Sequence, residues 1–241
     1  MKNERRAFIL KWETEMKYQI VRAGESRSFS EDHQLVAGAE DSGEIVVIIG
    51  ANAGNAFRKL GTTVQQAAVL IELGAECLGV HTGEKLALEG SNVLGFARFR
   101  LGEGEPANLV ELVRQPRTLE TAVAVAKQVF ESAGLQVAVC GDFAGRIIDR
   151  LVRPYYNAAL TRLDEGLASA ADLDMTLRLG LGYPEGPIEL LERTGLADHY
   201  DATQALFEAY GDAAYAPARR ARVAKQRQKT LEPQMNADER R

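Results

Sequence analysis

Apolar residues run together or alternate in the first part of the chain and recur at helical spacing in the second. Lys17-Tyr18-Gln19-Ile20-Val21-Arg22 alternates and is rich in strand formers, which predicts a strand. Glu44-Ile45-Val46-Val47-Ile48-Ile49-Gly50 is apolar almost throughout, the pattern of a strand covered on both faces. Between them, Leu35-Val36 suggests a weak strand in a polar stretch. A helical segment is expected next, best patterned over residues 64–73. Cys77-Leu78-Gly79-Val80, Val93-Leu94-Gly95-Phe96 and Leu109-Val110-Glu111-Leu112-Val113 read as further short strands. Thr118 is the expected cap of a helix over residues 119–132 that stops at Gly134, and residues 135–140 read as a last strand. Alternating strands and helices argue for a parallel α/β sheet.

After Gly141 no strand pattern recurs. Residues 147–163, 171–179 and 188–192 carry apolar positions at helical spacing, so a domain boundary is expected near residues 140–144. Ser169 can cap a helix whose start carries Asp172 and Asp174, favourable for its dipole. Gly180 and Gly182 end that helix, and Pro184 and Pro187 bar its continuation. Residues 1–15 read as a helical or frayed extension. Residues 219–241 read as a basic, mobile tail, a solvated helix with few apolar anchors after Val223.

The composition narrows the setting. The chain has 241 residues, 46% of them hydrophobic, enough for one large or two small cores. A net charge of -5 gives no reason to expect nucleic acid or an anionic membrane as partner. No apolar run approaches the roughly 20 residues that span a bilayer, and the charged start Met1-Lys2-Asn3-Glu4-Arg5-Arg6 does not resemble a secretory signal. Cys77 and Cys140 are far apart, which fits neither a disulfide framework nor a metal motif, and buried, reduced thiols are expected. The expected location is cytoplasmic.

Two segments are specific enough to suggest kinship. Gly145-Arg146-Ile147-Ile148-Asp149-Arg150-Leu151-Val152-Arg153-Pro154-Tyr155 is one. Gly180-Leu181-Gly182-Tyr183-Pro184-Glu185-Gly186-Pro187-Ile188-Glu189-Leu190-Leu191 is the other. With residues 163–174 between them, they resemble the C-terminal helical domain of the 3-hydroxyacyl-CoA dehydrogenases. The resemblance covers residues 92–217 well and 44–91 in outline. It implies a shortened Rossmann-like parallel-sheet domain over residues 16–141. It further implies an all-α domain of the 6-phosphogluconate-dehydrogenase C-terminal type over residues 142–218, which in the family forms a homodimer interface. NAD is the implied cofactor and acyl-CoA the implied ligand.

Hydride transfer from a 3-hydroxyacyl thioester needs a base on the hydroxyl, a group holding that base, and a nicotinamide at the reacting carbon. The resemblance places the base in the stretch Gly95-Phe96-Ala97-Arg98-Phe99-Arg100, where the family has His and this chain has Ala97. The orienting carboxylate is matched by Glu111, and the family's Asn by Asp149. Arg98 or Arg100 is expected to pair with Glu111 in a structural ion pair, and Arg146 or Arg153 with Asp149. His81, after the Cys77–Val80 stretch, is the alternative base, in a relocated dyad with Glu111. Gly50-Ala51-Asn52-Ala53-Gly54 lacks the spacing of a dinucleotide turn. Between Val21 and Glu44 there is no room for the family's first helix, second strand and second helix, and residues 226–241 lack its Gly-rich aromatic signature. The expectation is therefore a degenerate paralogue with its nucleotide site lost, retaining acyl-CoA binding or acting as a dimeric regulatory subunit. Its rivals are an active NAD-dependent dehydrogenase with a displaced site and a structural subunit paired with a full-length paralogue.

Overall fold

A computed structural model describes residues 17–85 and 90–238, with side chains as far as Thr230. The expected extension over residues 1–15 lies outside the described residues. Six strands form one sheet: β1 (Tyr18–Arg22), β2 (Ile45–Ile49), β3 (Ala68–Glu72), β4 (Val93–Arg98), β5 (Leu109–Arg114) and β6 (Gln136–Gly141). Their order in space is their order in the chain. The pairs β1–β2, β2–β3, β3–β4 and β5–β6 are parallel.

Alternation distributes the strand residues between two cores. Ile45, Val47, Leu70, Leu94, Phe96, Val110 and Leu112 share one apolar cluster with Ala126, Val129 and Phe130 of helix α4 (Glu120–Ser132). Val46, Ile48, Val69, Ile71 and Val113 form the other, against α2 (Ala53–Leu60). Strands β2 and β3 are therefore buried along their whole length, and each wholly buried Ile or Leu contributes roughly 1.5–3 kcal/mol.

Several local expectations are corrected. Leu35 and Val36 lie in a short helix, α1 (Gln34–Ala37), whose start is capped where the Leu35 amide donates to His33 Nδ1 at 3.1 Å. The helix expected over residues 64–73 falls earlier, at α2, and Ala68–Glu72 is instead β3. A five-residue apolar run fits either period, and burial on both faces decides for the strand. The Cys77–Val80 stretch leads into α3 (Gly79–Thr82) rather than a strand. Thr118 Oγ1 accepts from the Gln115 amide at 2.9 Å, so its hydroxyl closes the turn before α4 and does not cap it. Cys77 and Cys140 are not disulfide-bonded and are half-buried rather than buried.

A second compact unit begins at Asp142 and also gathers residues 75–77 and 98–107. It holds α5 (Ile148–Asp164), α6 (Ala170–Leu181), α7 (Pro187–Thr194), α8 (Leu196–Tyr210), a single 3-10 turn (Ala213–Tyr215) and α9 (Arg219–Asp238). Ser169 caps α6, accepting from the Asp172 amide at 3.1 Å. Asp174 does more than favour a dipole. It is buried in α6 and accepts from the amides of Ile188 (2.9 Å) and Glu189 (3.0 Å), so it caps the next helix, α7. The core of this unit joins Tyr156, Leu160, Ile188 and Leu191 to Ala218 and Ala221. The basic segment after residue 218 is thus a packed helix: Ala221 is fully buried, Arg220 pairs with Asp164 and Lys225 with Asp201. None of the helices in the described residues is long and apolar enough to cross a membrane.

Candidate active-site region

The residues singled out by the sequence fall in both units. In the sheet unit, Ala97 sits in β4 at 3% exposure and Glu111 in β5 at 2%. Alternation puts Ala97 on the face of Val93, and Glu111 on the face of Val113, and both of those belong to the second apolar cluster. Ala97 and Glu111 therefore share one face of the sheet. His81 lies in α3, its ring pressed onto α2. A Cβ added to Gly54 would stand 2.1 Å from His81 Cε1, so only glycine admits the ring there. The neighbouring Thr82 hydroxyl donates to Gln115 Oε1 at 2.9 Å.

Arg98 and Arg100 both reach backbone carbonyls of the loop that follows β4. Arg98 donates to the carbonyls of Ala107 (2.8 Å) and Pro106 (3.2 Å), and burial lowers its pKa against the opposing pull of the Glu105 charge. Arg100 donates to the Gly104 carbonyl at 2.8 Å and pairs with Glu103 at 3.2 Å. Arg100 thus closes its own loop through Gly104 and Glu103.

In the helical unit, Asp149 Oδ1 accepts from Arg153 Nε at 2.7 Å, the four-residue helical pairing anticipated. Arg153 Nη1 in turn meets His199 Nδ1 at 3.1 Å, and His199 Nε2 meets Asn157 Oδ1 at 3.0 Å. Arg153 can only donate, so Nδ1 is the acceptor and Nε2 carries the proton. Asn157 Nδ2 donates on to the Ala214 carbonyl at 3.2 Å. Burial first, and the Arg153 charge second, push the His199 pKa down to about 3, so the imidazole is neutral. Asp149, Arg153 and Asn157 are spaced by four on α5 and form one polar line, buried at Arg153 and Asn157.

The C-terminal ends of the strands are where open α/β sheets bind ligands. Here the chain covers those ends itself. After β1, residues 23–29 cross over the ends of β2 and β3. The Gly50 amide donates to Glu72 Oε2 (2.6 Å), the Ala51 amide to the Glu25 carbonyl (2.9 Å), and the Asn52 amide to the Ala23 carbonyl (2.8 Å). Gly50 has φ +110°, and a Cβ there would lie 2.4 Å from the Gly24 carbonyl oxygen. Glu72, 7% exposed at the end of β3, also accepts from Ser26 Oγ (3.0 Å) and the Ser28 amide (2.9 Å). Phe29 then anchors the strap between Phe96 and Phe130, at ring separations of 5.9 and 6.3 Å. Sequence reasoning missed Glu72 because its strand was read as part of a helix. Its only signal was an acidic residue ending an apolar run.

A mostly parallel, Rossmann-like sheet followed by an all-helical domain is the make-up of a two-domain dehydrogenase. Residues 145–233 match the family described as 3-hydroxyacyl-CoA dehydrogenase, C-terminal domain. The chain is 35% identical over 109 residues to a 3-hydroxybutyryl-CoA dehydrogenase of Bradyrhizobium diazoefficiens, a match covering 45% of this chain and 37% of that one. It is 27% identical over 190 residues to a 3-hydroxybutyryl-CoA dehydrogenase of Mycobacterium tuberculosis, covering 77% and 63%. Among solved structures, the (S)-3-hydroxybutyryl-CoA dehydrogenase of Ralstonia eutropha superposes with a TM-score of 0.61 at 22% identity, covering 75% of this chain and 64% of that one. The Escherichia coli 3-hydroxybutyryl-CoA dehydrogenase gives 0.63 at 24%, covering 75% and 39%. The structures show the fold, and the sequence match ties residues 145–233 to the C-terminal domain of the 3-hydroxyacyl-CoA dehydrogenases. The matched part of the chain spans only 37% and 23% of the first two curated relatives.

The family resemblance implies NAD. A dinucleotide needs free amides at the turn after a strand, facing its pyrophosphate. At the turn after β2 three successive amides are taken by the chain's own oxygens, one of them a buried carboxylate that would repel a phosphate. These residues do not fit the cofactor.

Proposed function

We propose that this chain is a degenerate member of its family that does not transfer hydride. It keeps acyl-CoA binding and serves as a dimeric regulatory subunit. The observation that carries the reading is the engagement of the Gly50, Ala51 and Asn52 amides by Glu72, Glu25 and Ala23. Ala97 at the position of the family's base supports it, since a methyl group takes up no proton. Glu111, with no imidazole to orient at Ala97, serves packing and electrostatic satisfaction within the sheet. Asp149 is held by Arg153 and belongs to the polar line of α5. His81, wedged against Gly54, is a packing residue of α3. Dimerisation through the helical unit is supported by Leu151, Leu179 and Leu181, which are 71%, 81% and 63% exposed.

The test is direct. Purified protein is mixed with acetoacetyl-CoA and NADH, and NADH oxidation is followed. No turnover above the buffer rate is expected, and turnover in proportion to protein concentration would overturn the reading. In parallel, acetoacetyl-CoA at about 100 times its Kd should raise the Tm by several degrees while NADH leaves it unmoved. Sedimentation of the chain alone should give twice its monomer mass.

A further inference from the structure

A concave site of about 320 Å³ lies in the helical unit, lined by Tyr200 and Gln204 of α8 and by Arg222, Lys225, Gln226 and Lys229 of α9. Its size is at the lower end of small-ligand sites. The α9 residues stand at positions i, i+3, i+4 and i+7, so one stripe of that helix faces one stripe of α8. The charge is local and unusual for this chain. Residues 219–229 carry six cations (Arg219, Arg220, Arg222, Lys225, Arg227 and Lys229) and no carboxylate, in a protein of net charge -5.

Part of that charge is already neutralised. Asp164 takes Arg220 at 2.7 Å, outside the cavity, and Asp201 takes Lys225 at 2.7 Å at its edge. Glu208 is engaged by Gln204 Nε2 at 2.7 Å. Arg222 spends one N–H on the Pro217 carbonyl at 3.3 Å and keeps the rest of its fork. Lys229 is exposed. The lining therefore brings Arg222, Lys225 and Lys229 to one concavity with two carboxamides, Asp201 already holding Lys225 and Glu208 already holding Gln204. Arg222 and Lys229 are seven residues apart, about 10 Å along the helix axis, which exceeds the reach of one phosphate.

We propose that this α8–α9 cavity is a binding site for a small anion carrying two or three linked phosphates. The site is separate from the strand ends of the sheet unit and does not depend on the activity reading above. Arg222 supplies a forked donor, Lys229 a point charge and Gln226 a neutral donor, while Lys225 adds positive potential that it shares with Asp201.

Calorimetric titration of the full chain with inorganic tripolyphosphate tests this. One saturable site per chain is expected, weakened by added salt, with inorganic monophosphate binding much more weakly. Lys229→Gln and Arg222→Gln should each weaken tripolyphosphate binding by about tenfold, the worth of one charge-assisted hydrogen bond. Arg227→Gln, on the same helix but not lining the cavity, should leave binding unchanged. Absence of saturable binding, or an Arg227→Gln loss equal to that of Lys229→Gln, would overturn the proposal, since the cationic helix would then be acting as an unstructured charge. Lys229 is exposed, so its variant reads binding rather than folding.

Discussion

Glu72 accepts from Gly50 N, Ser26 Oγ and Ser28 N while buried, so Glu72→Ala removes the acceptor of Gly50 N and Ser26 Oγ and one of the two of Ser28 N, which also donates to Ser26 Oγ. We expect a loss of about 3 kcal/mol in urea unfolding, with Glu72→Gln costing less because an amide oxygen still accepts. An equal cost for the two variants would mean that packing, not the carboxylate, holds the strap. Gly54 offers a sharper test. In a helix interior Gly→Ala normally stabilises by up to about 1 kcal/mol, but here the new methyl would overlap the His81 ring. Gly54→Ala alone should therefore destabilise, by about 1–2 kcal/mol, and should become neutral or stabilising once His81→Ala has removed the ring. The same change in stability in both backgrounds would show that the two residues do not meet.

At the level of elements, α5 and α8 are joined through polar contacts that titrate. His199 has a folded pKa of about 3 against an ordinary 6.5, so the unfolded chain takes up a proton that the folded one refuses. The contribution is fully present above pH 6.5 and is lost as pH falls from there towards 3. Between pH 6.5 and 5 the loss is roughly 2 kcal/mol. His199→Gln should flatten that acid limb of the stability curve while lowering its plateau, and an unchanged slope would assign the acid sensitivity elsewhere. The same contact explains what the sequence hid. The buried residues of α8 include His199, Thr203 and Leu206, so its inner face is largely hydrogen-bonding rather than apolar, and hydrophobic spacing says little about it. The strands β2 and β5 were legible because their apolar runs are bounded by polar or glycine residues, whereas β3 shares its pattern with a helix until its burial is known. The start of α9 misled for a different reason: its single contact residues are alanines. Ala221 is fully buried and Val223 is 40% exposed. Hence Ala221→Asp should cost about 3 kcal/mol and Val223→Asp within about 0.5, a contrast that a solvated tail would not give.

For the whole molecule, the alanine at the position where the family resemblance puts the base and the strap over the strand ends have separate legibility. Ala97 could be read from one motif. The strap over β2 and β3 could not, because it depends on where residues 23–29 go after β1 and on a carboxylate 44 to 46 residues further on. Dinucleotide sheets bind at the point where strand order reverses, with the crevice opening between diverging connections. In the described residues the order runs from β1 to β6 without reversal, and residues 23–44 hold only the single turn of α1. If one residue were the whole defect, restoring it would restore chemistry. If the sheet's layout is also at fault, an imidazole gains nothing, since hydride still has no donor beside it. Ala97→His is therefore expected to leave NADH oxidation with acetoacetyl-CoA at the buffer rate and NADH without effect on the Tm. A base correctly placed by general acid–base catalysis contributes roughly 10²–10⁴-fold, so recovery would be plain in the assay. Turnover by that variant would place the defect in a single side chain and would require residues 23–29 to leave the strand ends when cofactor binds. The Ser26→Ala, Ala97→His double variant, which loosens the strap, would then be the faster of the two.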